Sequence, residues 1–342
     1  MRIGGLPSVT YFYHAVVDSP HIPRDLEADS AQSAVITLLG ELWPSEQPIA
    51  IPSAAIVAAL SRIDVTEAAT RAALSRMHRK GTLDIIKDGR QTLYRLSDAV
   101  ITSIPASQVL TMGFGAESRP WNGEWTVVVF SLPETQRDRR QALREWLRWL
   151  GFGPVRDGVW ISPHANIELV QRALHGLLPS DGLVFRSAHI VGEVRPGDVW
   201  PLAEIEQAYR TFIDEFRPYI YSLRGGLVPP AEAMRLWITV LCRWRGFPTL
   251  DPDLPAAALP ADWPRGEARR VFEAVHDATG PLVSMLMRSV IGEFSKTAAA
   301  AVRTLTVDEA RALYSPRAAT PSAESIDLNA IGPTSPAFLP TA

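Results

Sequence analysis

The residues of this sequence whose types and spacing could do chemistry are the basic and hydroxyl side chains between residues 62 and 95. Arginine, lysine, serine and threonine can donate hydrogen bonds to phosphate oxygens, and arginine can also bond the edge of a guanine base. The segment holds eight basic and four acidic residues, although the whole chain has a formal net charge of -3. A local positive excess of this kind favours binding to a nucleic acid. The basic residues are Arg62, Arg71, Arg76, Arg79, Lys80, Lys87, Arg90 and Arg95, and the acidic residues are Asp64, Glu67, Asp84 and Asp88.

The first half of this segment has the pattern of one amphipathic helix. Thr66 is a candidate N-cap because its hydroxyl can accept a backbone hydrogen bond, and Gly81 is a candidate helix stop. The opposite face would meet DNA, where Arg71 could bond a guanine in a bidentate way; a solvated face without a partner is the alternative. The residues expected to face inward are Thr70, Ala73, Leu74 and Met77. The candidate DNA contacts on this helix are Thr66, Glu67, Ala68, Arg71, Ser75 and Arg76.

The second half of the segment has the pattern of a β-hairpin. Asp88-Gly89 joins two runs of alternating apolar residues, and this dipeptide suits a tight two-residue turn because Asp and Gly tolerate positive φ. Upstream, the pattern predicts helices over 30–42 and 54–60 and a short strand at 49–51. This order is typical of a winged helix-turn-helix, whose last helix enters the major groove while the hairpin touches the DNA backbone. The candidate contacts on the hairpin are Lys87, Arg90 and Gln91.

Other kinds of functional site find little support in the sequence. We find no glycine-rich nucleotide loop, no nucleophile elbow and no spacing of metal ligands, so we expect no cofactor, no metal and no catalytic residues. Cys242 is the single cysteine, which favours a reducing compartment, and it lies in an apolar helix. The N-terminus does not read as a signal peptide, and no apolar run is long enough to span a bilayer. We therefore expect a cytoplasmic protein without a membrane partner.

The pattern of residues 122–197 predicts a ferredoxin-like βαββαβ unit. We expect this unit to serve dimerisation. The expected strands are 124–131, one around Val155, 159–162 and 183–191, and the expected helices are 136–150 and 167–178. This unit is similar to the CRISPR-associated metal-dependent nucleases of that fold, so nuclease activity is an alternative. Such an enzyme needs a carboxylate at the end of its first strand, and none stands at 129–132. An arginine series in this unit could bind a phosphate-bearing ligand or the DNA backbone; the alternative is a solvated helix face on which Asp138 and Glu145 pair with some of the arginines. The series is Arg137, Arg139, Arg140, Arg144 and Arg148.

The remaining segments complete an α+β multidomain architecture. We expect a poorly ordered extension at 1–29, the winged domain at 30–100 and a linker at 101–121. A mostly helical domain follows at 198–300, then a short helix and a disordered tail at 301–342. The expected helices of the C-terminal domain are 202–222, 231–245, 267–278 and 282–296.

Several segments of the chain resemble the PaaX family of bacterial regulators, which includes repressors of phenylacetic acid degradation. The resemblance covers about residues 30 to 295 in the right order and departs at both termini. Thr70 stands where winged domains of this kind usually carry a branched apolar residue. The matching segments include Ala31-Gln-Ser-Ala-Val-Ile-Thr-Leu-Leu-Gly-Glu, Thr70-Arg-Ala-Ala-Leu-Ser-Arg-Met, Gly89-Arg-Gln-Thr-Leu-Tyr-Arg-Leu, Trp125-Thr-Val-Val-Val-Phe-Ser-Leu-Pro-Glu, Leu147-Arg-Trp-Leu-Gly-Phe-Gly-Pro-Val-Arg-Asp-Gly-Val-Trp-Ile-Ser-Pro and Asp251-Pro-Asp-Leu-Pro.

The resemblance implies a function for the chain. It predicts a DNA-binding transcriptional repressor that acts as a homodimer on double-stranded operator DNA. It also implies an acyl-coenzyme A effector, typically phenylacetyl-CoA. Because the sequence contains no motif of a catalytic site, we expect no enzymatic activity. A metal-dependent nuclease and a ligand-independent architectural DNA-binding protein are the two alternatives.

Overall fold

The computed structural model describes most of the chain between residues 31 and 314. The described residues are 31–43, 49–116, 121–163, 167, 170–171, 179, 182–189 and 195–314. The predicted extension at 1–29 and most of the predicted helix at 167–178 lie outside these residues, as does the part of the predicted tail beyond residue 314.

The described N-terminal residues, 31–43 and 49–96, form three helices and a three-stranded antiparallel sheet. Its elements are α1 (Ala31–Glu41), β1 (Ile51–Pro52), α2 (Ser53–Ser61), α3 (Glu67–Arg79), β2 (Leu83–Asp88) and β3 (Gln91–Leu96). The strand order is β1-β3-β2. Helices α1 and α2 both pack against α3, so the inward face of α3 closes a small core. The predicted helices and hairpin are present in the predicted order.

The turn of the hairpin lies one residue later than the sequence suggested. Asp88 pairs with Gln91 across the two strands, so the two turn residues are Gly89 and Arg90 rather than Asp88 and Gly89. Gly89 has φ +56° and Arg90 is not among the residues with positive φ. A glycine with positive φ at the first turn position is the pattern of a type II′ turn. Cross-strand pairing extended one residue further than the turn chemistry predicted.

Over its described residues, the middle part forms a four-stranded antiparallel sheet with a helix on one face. After α4 (Asp98–Gly113) come β4 (Trp125–Val129), α5 (Arg137–Trp149), β5 (Gly153–Arg156), β6 (Val159–Ser162) and β7 (Leu183–Ser187). The strand order is β5-β6-β4-β7, and this unit fits a ferredoxin-like fold. The predicted turn at Asp157-Gly158 is confirmed. Gly158 has φ +73°, and a Cβ there would lie 2.1 Å from the carbonyl oxygen of Phe130, so only glycine fits.

The C-terminal part is helical. Its elements are α6 (Pro196–Val199), α7 (Leu202–Arg224), α8 (Pro230–Leu250), α9 (Arg265–Gly292), α10 (Lys296–Ala300) and α11 (Val307–Tyr314). The sequence predicted two helices over 267–278 and 282–296, but the structure has one, α9, with Pro281 inside it. Proline interrupts a helix by removing one N–H donor, yet α9 packs along both α7 and α8, and this burial outweighs the lost bond.

Most of the predicted linker at 101–121 is helical. The prolines and glycines suggested an irregular segment, but α4 runs from Asp98 to Gly113 with Pro105 inside it. Val100, Leu110 and Met112 are buried, and the helix packs against α8 and α11. Apolar contacts with segments far along the chain stabilise this helix, and its own sequence has no clear amphipathic period that would have predicted it.

A single hydrophobic core joins the N-terminal and C-terminal parts. It runs from Leu39 and Ile56 in the first helices to Trp237 and Phe272 in α8 and α9. The middle part has a second cluster between its sheet and α5, which includes Val128 and Leu147. Helices α1 and α2 therefore sit directly on the C-terminal helices α8 and α9, respectively.

Candidate nucleic-acid interface

Helix α3 has one buried face and one exposed face. The four residues expected to face inward, Thr70, Ala73, Leu74 and Met77, are all buried. The hydroxyl of Thr70 donates to the carbonyl oxygen of Thr66 at 3.1 Å, so this polar group is satisfied inside the core. All nine candidate DNA contacts are exposed: Thr66, Glu67, Ala68, Arg71, Ser75, Arg76, Lys87, Arg90 and Gln91.

The start of α3 is held by local hydrogen bonds. Thr66 is the N-cap, and its Oγ1 accepts a hydrogen bond from the backbone N–H of Ala69 at 3.2 Å. Glu67 and Arg71 form an ion pair at 2.7 Å across one turn of the helix, and both side chains are more than half exposed. An exposed pair of this kind contributes little to stability. Arg71 can therefore leave Glu67 for a stronger acceptor at small cost.

The end of α3 carries a group of cations. Arg76, Arg79 and Lys80 are exposed, and the guanidinium of Arg79 donates to Ser75 Oγ at 2.9 Å. Positive charge at a helix C-terminus is also favoured by the helix dipole, so these residues stabilise the helix whether or not DNA is bound. Arg79 and Lys80 belong to the basic segment but are not among the nine candidate contacts. Their exposure beside Arg76 makes them equally available to phosphate.

The hairpin presents further basic residues. Lys87 on β2 donates to Thr92 Oγ1 on β3 at 2.7 Å, which orders its side chain. Arg90 lies at the turn itself and Gln91 directly follows it. The hairpin is linked to α3 because His78 Nδ1 donates to the carbonyl oxygen of Leu83 at 2.9 Å. The helix and the hairpin are thus held in one arrangement.

The charged side chains of residues 62–95 are not equally available for contact with DNA phosphates. Arg95 pairs with Asp84 and with Asp98, each at 2.8 Å, and its side chain is only 25% exposed. Asp64 pairs with Arg235 of α8 at 2.6 Å. Arg95 is therefore a structural cation of the sheet, while one acid of the segment is neutralised from elsewhere. The basic excess is concentrated at the end of α3 and on the hairpin.

The arginine series of α5 has partners that the sequence did not predict. Arg140 pairs with Glu134, and its guanidinium also donates to the carbonyl oxygen of Leu132 at 2.6 Å. Arg144 pairs with Asp157 at 2.7 Å. The predicted partners were acids of the same helix, whereas the observed ones lie in the flanking loops. These ion pairs give two arginines of the series, Arg140 and Arg144, a structural role within the middle part.

Polar contacts reinforce the junction between α1 and the C-terminal helices. The guanidinium of Arg245 on α8 donates to Thr37 Oγ1 at 2.9 Å and to the carboxylate of Glu41. Trp43 Nε1 donates to the carbonyl oxygen of Ala298 at 3.1 Å. These bonds join segments that are more than 200 residues apart in the sequence. The part of the chain that carries the candidate interface is therefore packed against the C-terminal helices.

Within the described ranges, no group of three or more His, Cys, Asp or Glu side chains is arranged to hold a metal ion. None of the helices in those ranges combines the length and the apolar character that a bilayer crossing demands.

Three family models match consecutive parts of the chain. The model described as PaaX-like protein matches residues 30–100, and the PaaX protein central Cas2-like domain matches residues 118–197. The PaaX-like protein C-terminal domain matches residues 200–289. The chain belongs to the PaaX family. Transcriptional repressor PaaX of Escherichia coli (strain K12) is 26% identical over 299 residues, which cover 83% of this chain and 90% of that protein.

One solved structure similar to this PaaX family member is an uncharacterized protein from Mycobacterium tuberculosis. The two chains are 21% identical with a TM-score of 0.51, over 76% of this chain and 98% of the other. This likeness shows a shared fold. Together, the family models and the E. coli protein confirm the predicted resemblance and place the chain among the PaaX-like transcriptional repressors.

Proposed function

We propose that this PaaX family member is a transcriptional repressor that reads operator DNA through a winged helix-turn-helix formed by residues 31–96. In this proposal α3 enters the major groove, and the hairpin of β2 and β3 lies against the adjacent phosphates. The observation that carries the proposal is the exposed face of α3 together with the basic hairpin fixed beside it. One face of α3 is buried, so the six candidate residues at its start and on its exposed face, together with the three on the hairpin, form the surface that a groove would meet.

The roles of the candidate residues follow from their positions. Arg71 is the residue for base readout, because its exchangeable pairing with Glu67 lets the guanidinium bond guanine O6 and N7. Lys87 and Arg90 are the residues for backbone contact, because both are exposed on the hairpin. Ser75 and Arg76 would extend the contact surface along α3. Affinity should rest largely on phosphate contacts and fall with salt.

We also propose that the protein acts as a symmetric homodimer and is a regulator rather than an enzyme. A twofold axis would place two copies of α3 about one helical turn of DNA apart, roughly 34 Å, or a multiple of that distance. The ferredoxin-like middle part is the proposed dimerisation unit. Support for a regulator comes from the E. coli transcriptional repressor, because the match with this chain covers 90% of that protein.

The proposed effector is an aromatic acyl-coenzyme A thioester, of which phenylacetyl-CoA is the first to test. An effector can release DNA only if it binds the free form of the repressor more tightly than the DNA-bound form. Because the helices of the DNA-binding part are packed on the C-terminal helices, a ligand that shifts the C-terminal helices would also move α3.

The test is a gel shift of the purified full chain on its own upstream DNA, with scrambled DNA of the same length as control. Phenylacetyl-CoA, other acyl-CoA thioesters, free coenzyme A and phenylacetate are each added to the complex. Release by one thioester alone supports an effector-controlled repressor. Specific binding that no thioester alters would overturn the effector proposal and favour a ligand-independent DNA-binding protein. Equal binding to operator and scrambled DNA would overturn the repressor proposal itself.

A further inference from the structure

The turn that precedes α3 contains an unusual backbone conformation. Asp64 has φ +65°, and within the described residues only one other non-glycine residue, Asp253, has positive φ. Side chains other than glycine's are disfavoured in this left-handed region, although Asp and Asn tolerate it better than most. A residue kept there despite this cost calls for a reason in the surrounding structure.

The hydrogen bonds of the turn show which residue would ordinarily stand at position 64. The N–H of Val65 donates to the carbonyl of Leu60 and the N–H of Asp64 donates to the carbonyl of Ser61, which is the pattern of a Schellman motif. The same pair of bonds closes the ends of α3, α5 and α7. At those three ends the left-handed position is held by glycine: Gly81, Gly151 and Gly226. Asp64 replaces the residue that the motif favours.

The side chain of Asp64 contacts a residue of α8 that lies 171 positions further along the chain. Arg235 Nη2 on α8 donates to Asp64 Oδ2 at 2.6 Å. The other amino group of the same guanidinium, Nη1, donates to the carbonyl oxygen of Ile63 at 3.1 Å. One arginine of the C-terminal helices thus holds both the backbone and the side chain of the turn. Glycine could make the turn but could not supply the carboxylate.

We propose that Arg235 is a positioning residue for DNA recognition, which sets the orientation of α3 by clamping the turn at Ile63 and Asp64. The inference rests on the proposed function. Thr66, the N-cap of α3, lies only two residues beyond the clamp, so a shift of the turn moves the first turn of the recognition helix. The first turn of a recognition helix carries base contacts, and small displacements there affect base readout more than phosphate binding.

The clamp also gives α8 a direct connection to the DNA-binding surface. Arg235 is half exposed, so its contacts with the turn can be broken without opening the core. Movement of α8 relative to the turn would release the start of α3 while leaving its buried face packed. The same element also contacts α1 through Arg245, which keeps the rest of the unit in place.

The experiment compares Arg235→Ala with Arg243→Ala in the full-length protein. Arg243 is the matched control, because it lies on α8 with a similar exposure and pairs with Glu215 of α7. For each variant, affinity is measured for operator DNA and for scrambled DNA, together with the thermal midpoint and amide exchange at residues 65–69. Asp64→Gly keeps the left-handed turn but removes the carboxylate, and Arg235→Lys keeps the charge without the two-pronged geometry.

The expected result is that Arg235→Ala lowers operator affinity about three- to tenfold, while scrambled-DNA affinity and the thermal midpoint match those of Arg243→Ala. Amide exchange at the start of α3 should rise in Arg235→Ala, Asp64→Gly should weaken operator binding in the same direction, and Arg235→Lys should recover part of the loss. The proposal is overturned if Arg235→Ala behaves as Arg243→Ala does. It is also overturned if operator and scrambled affinities fall together, since that indicates a general structural role.

The two proposals fail in different ways. If the wild-type protein does not distinguish operator from scrambled DNA, the proposed function fails and Arg235 has no recognition to support. Amide exchange then still decides whether Arg235 orders the start of α3. If the wild type does distinguish the two DNAs and all variants do so equally well, only the role of Arg235 is wrong.

Discussion

Removing Lys87 and Arg90 together should weaken binding to every DNA sequence and make the remaining binding less sensitive to salt. Both side chains are exposed on the hairpin, and neither lies in the buried sheet core. Lys87 is ordered by its hydrogen bond to Thr92, and Arg90 stands at the tip of the turn. The double substitution Lys87→Ala and Arg90→Ala therefore removes two cations while the fold stays intact.

The expected magnitude follows from counterion release. Each phosphate contact contributes about 0.9 to the slope of log affinity against log salt, so two lost contacts lower the slope by about 1.8 for each hairpin. Between about 50 and 200 mM salt, the variant should lose roughly tenfold less affinity than the wild type for each hairpin engaged. In a dimer with both hairpins on DNA, this difference becomes about a hundredfold.

The assay is a fluorescence-anisotropy titration of labelled DNA at several salt concentrations. The control is Arg210→Ala with Arg243→Ala, which removes the same positive charge from α7 and α8, where the two arginines pair with Glu206 and Glu215. Net charge then differs from wild type by the same amount in both proteins. A slope unchanged in the hairpin variant, or lowered equally in the control, would show that the hairpin does not touch the DNA backbone.

Three other substitutions test α3 and the C-terminal core. Arg71→Ala should lower operator affinity by about 1–3 kcal/mol and relax selectivity at one base pair, as measured with operators substituted one position at a time; an equal loss on scrambled DNA would count against base readout. Thr66→Ala should lower the free energy of unfolding by about 0.5–2 kcal/mol in urea titrations, because the N–H of Ala69 loses its acceptor; no change would mean that water replaces the cap at no cost. Tyr209 donates to Asp251 at 2.6 Å, and burial followed by the nearby Asp251 charge raises its pKa well above the ordinary value. A raised pKa means that the folded state favours the neutral phenol. The resulting contribution of Tyr209 to the free energy of unfolding is complete below about pH 10 and is lost as the pH rises toward the folded-state pKa. Tyr209→Phe should therefore be about 1–2 kcal/mol less stable at pH 7 but lose less stability between about pH 9 and 11, as measured by denaturant titration at each pH; a parallel loss in both proteins would contradict this linkage.

Local patterns in the sequence predicted the parts of the candidate interface that depend on near neighbours. The helical spacing of Thr70, Ala73, Leu74 and Met77 identified the buried face of α3, and thereby left the candidate contacts exposed. Thr66 was predicted as the N-cap from its hydroxyl and position, and the hydrogen bond confirms it. Each of these features involves residues within a few positions of one another, so periodicity and capping chemistry were enough.

Features that depend on distant contacts could not be obtained in this way. Helix α4 forms where a linker was predicted, and α9 continues through Pro281, because packing against other helices compensates for an unfavourable local sequence. The hairpin turn moved by one residue because cross-strand pairing between Asp88 and Gln91 set the register. In each case the deciding contacts were not adjacent in the chain.

The sequence alone determined that the chain carries a basic helix and hairpin and that it resembles the PaaX family. Only the tertiary structure decided which charges remain available. Arg95 is held by Asp84 and Asp98, and Asp64 is held by Arg235, which lies 171 positions further along the chain. An ion pair depends on a separation of a few ångströms between two side chains. When the partners lie on different helices, that separation is set by how the helices pack, and no local pattern records it.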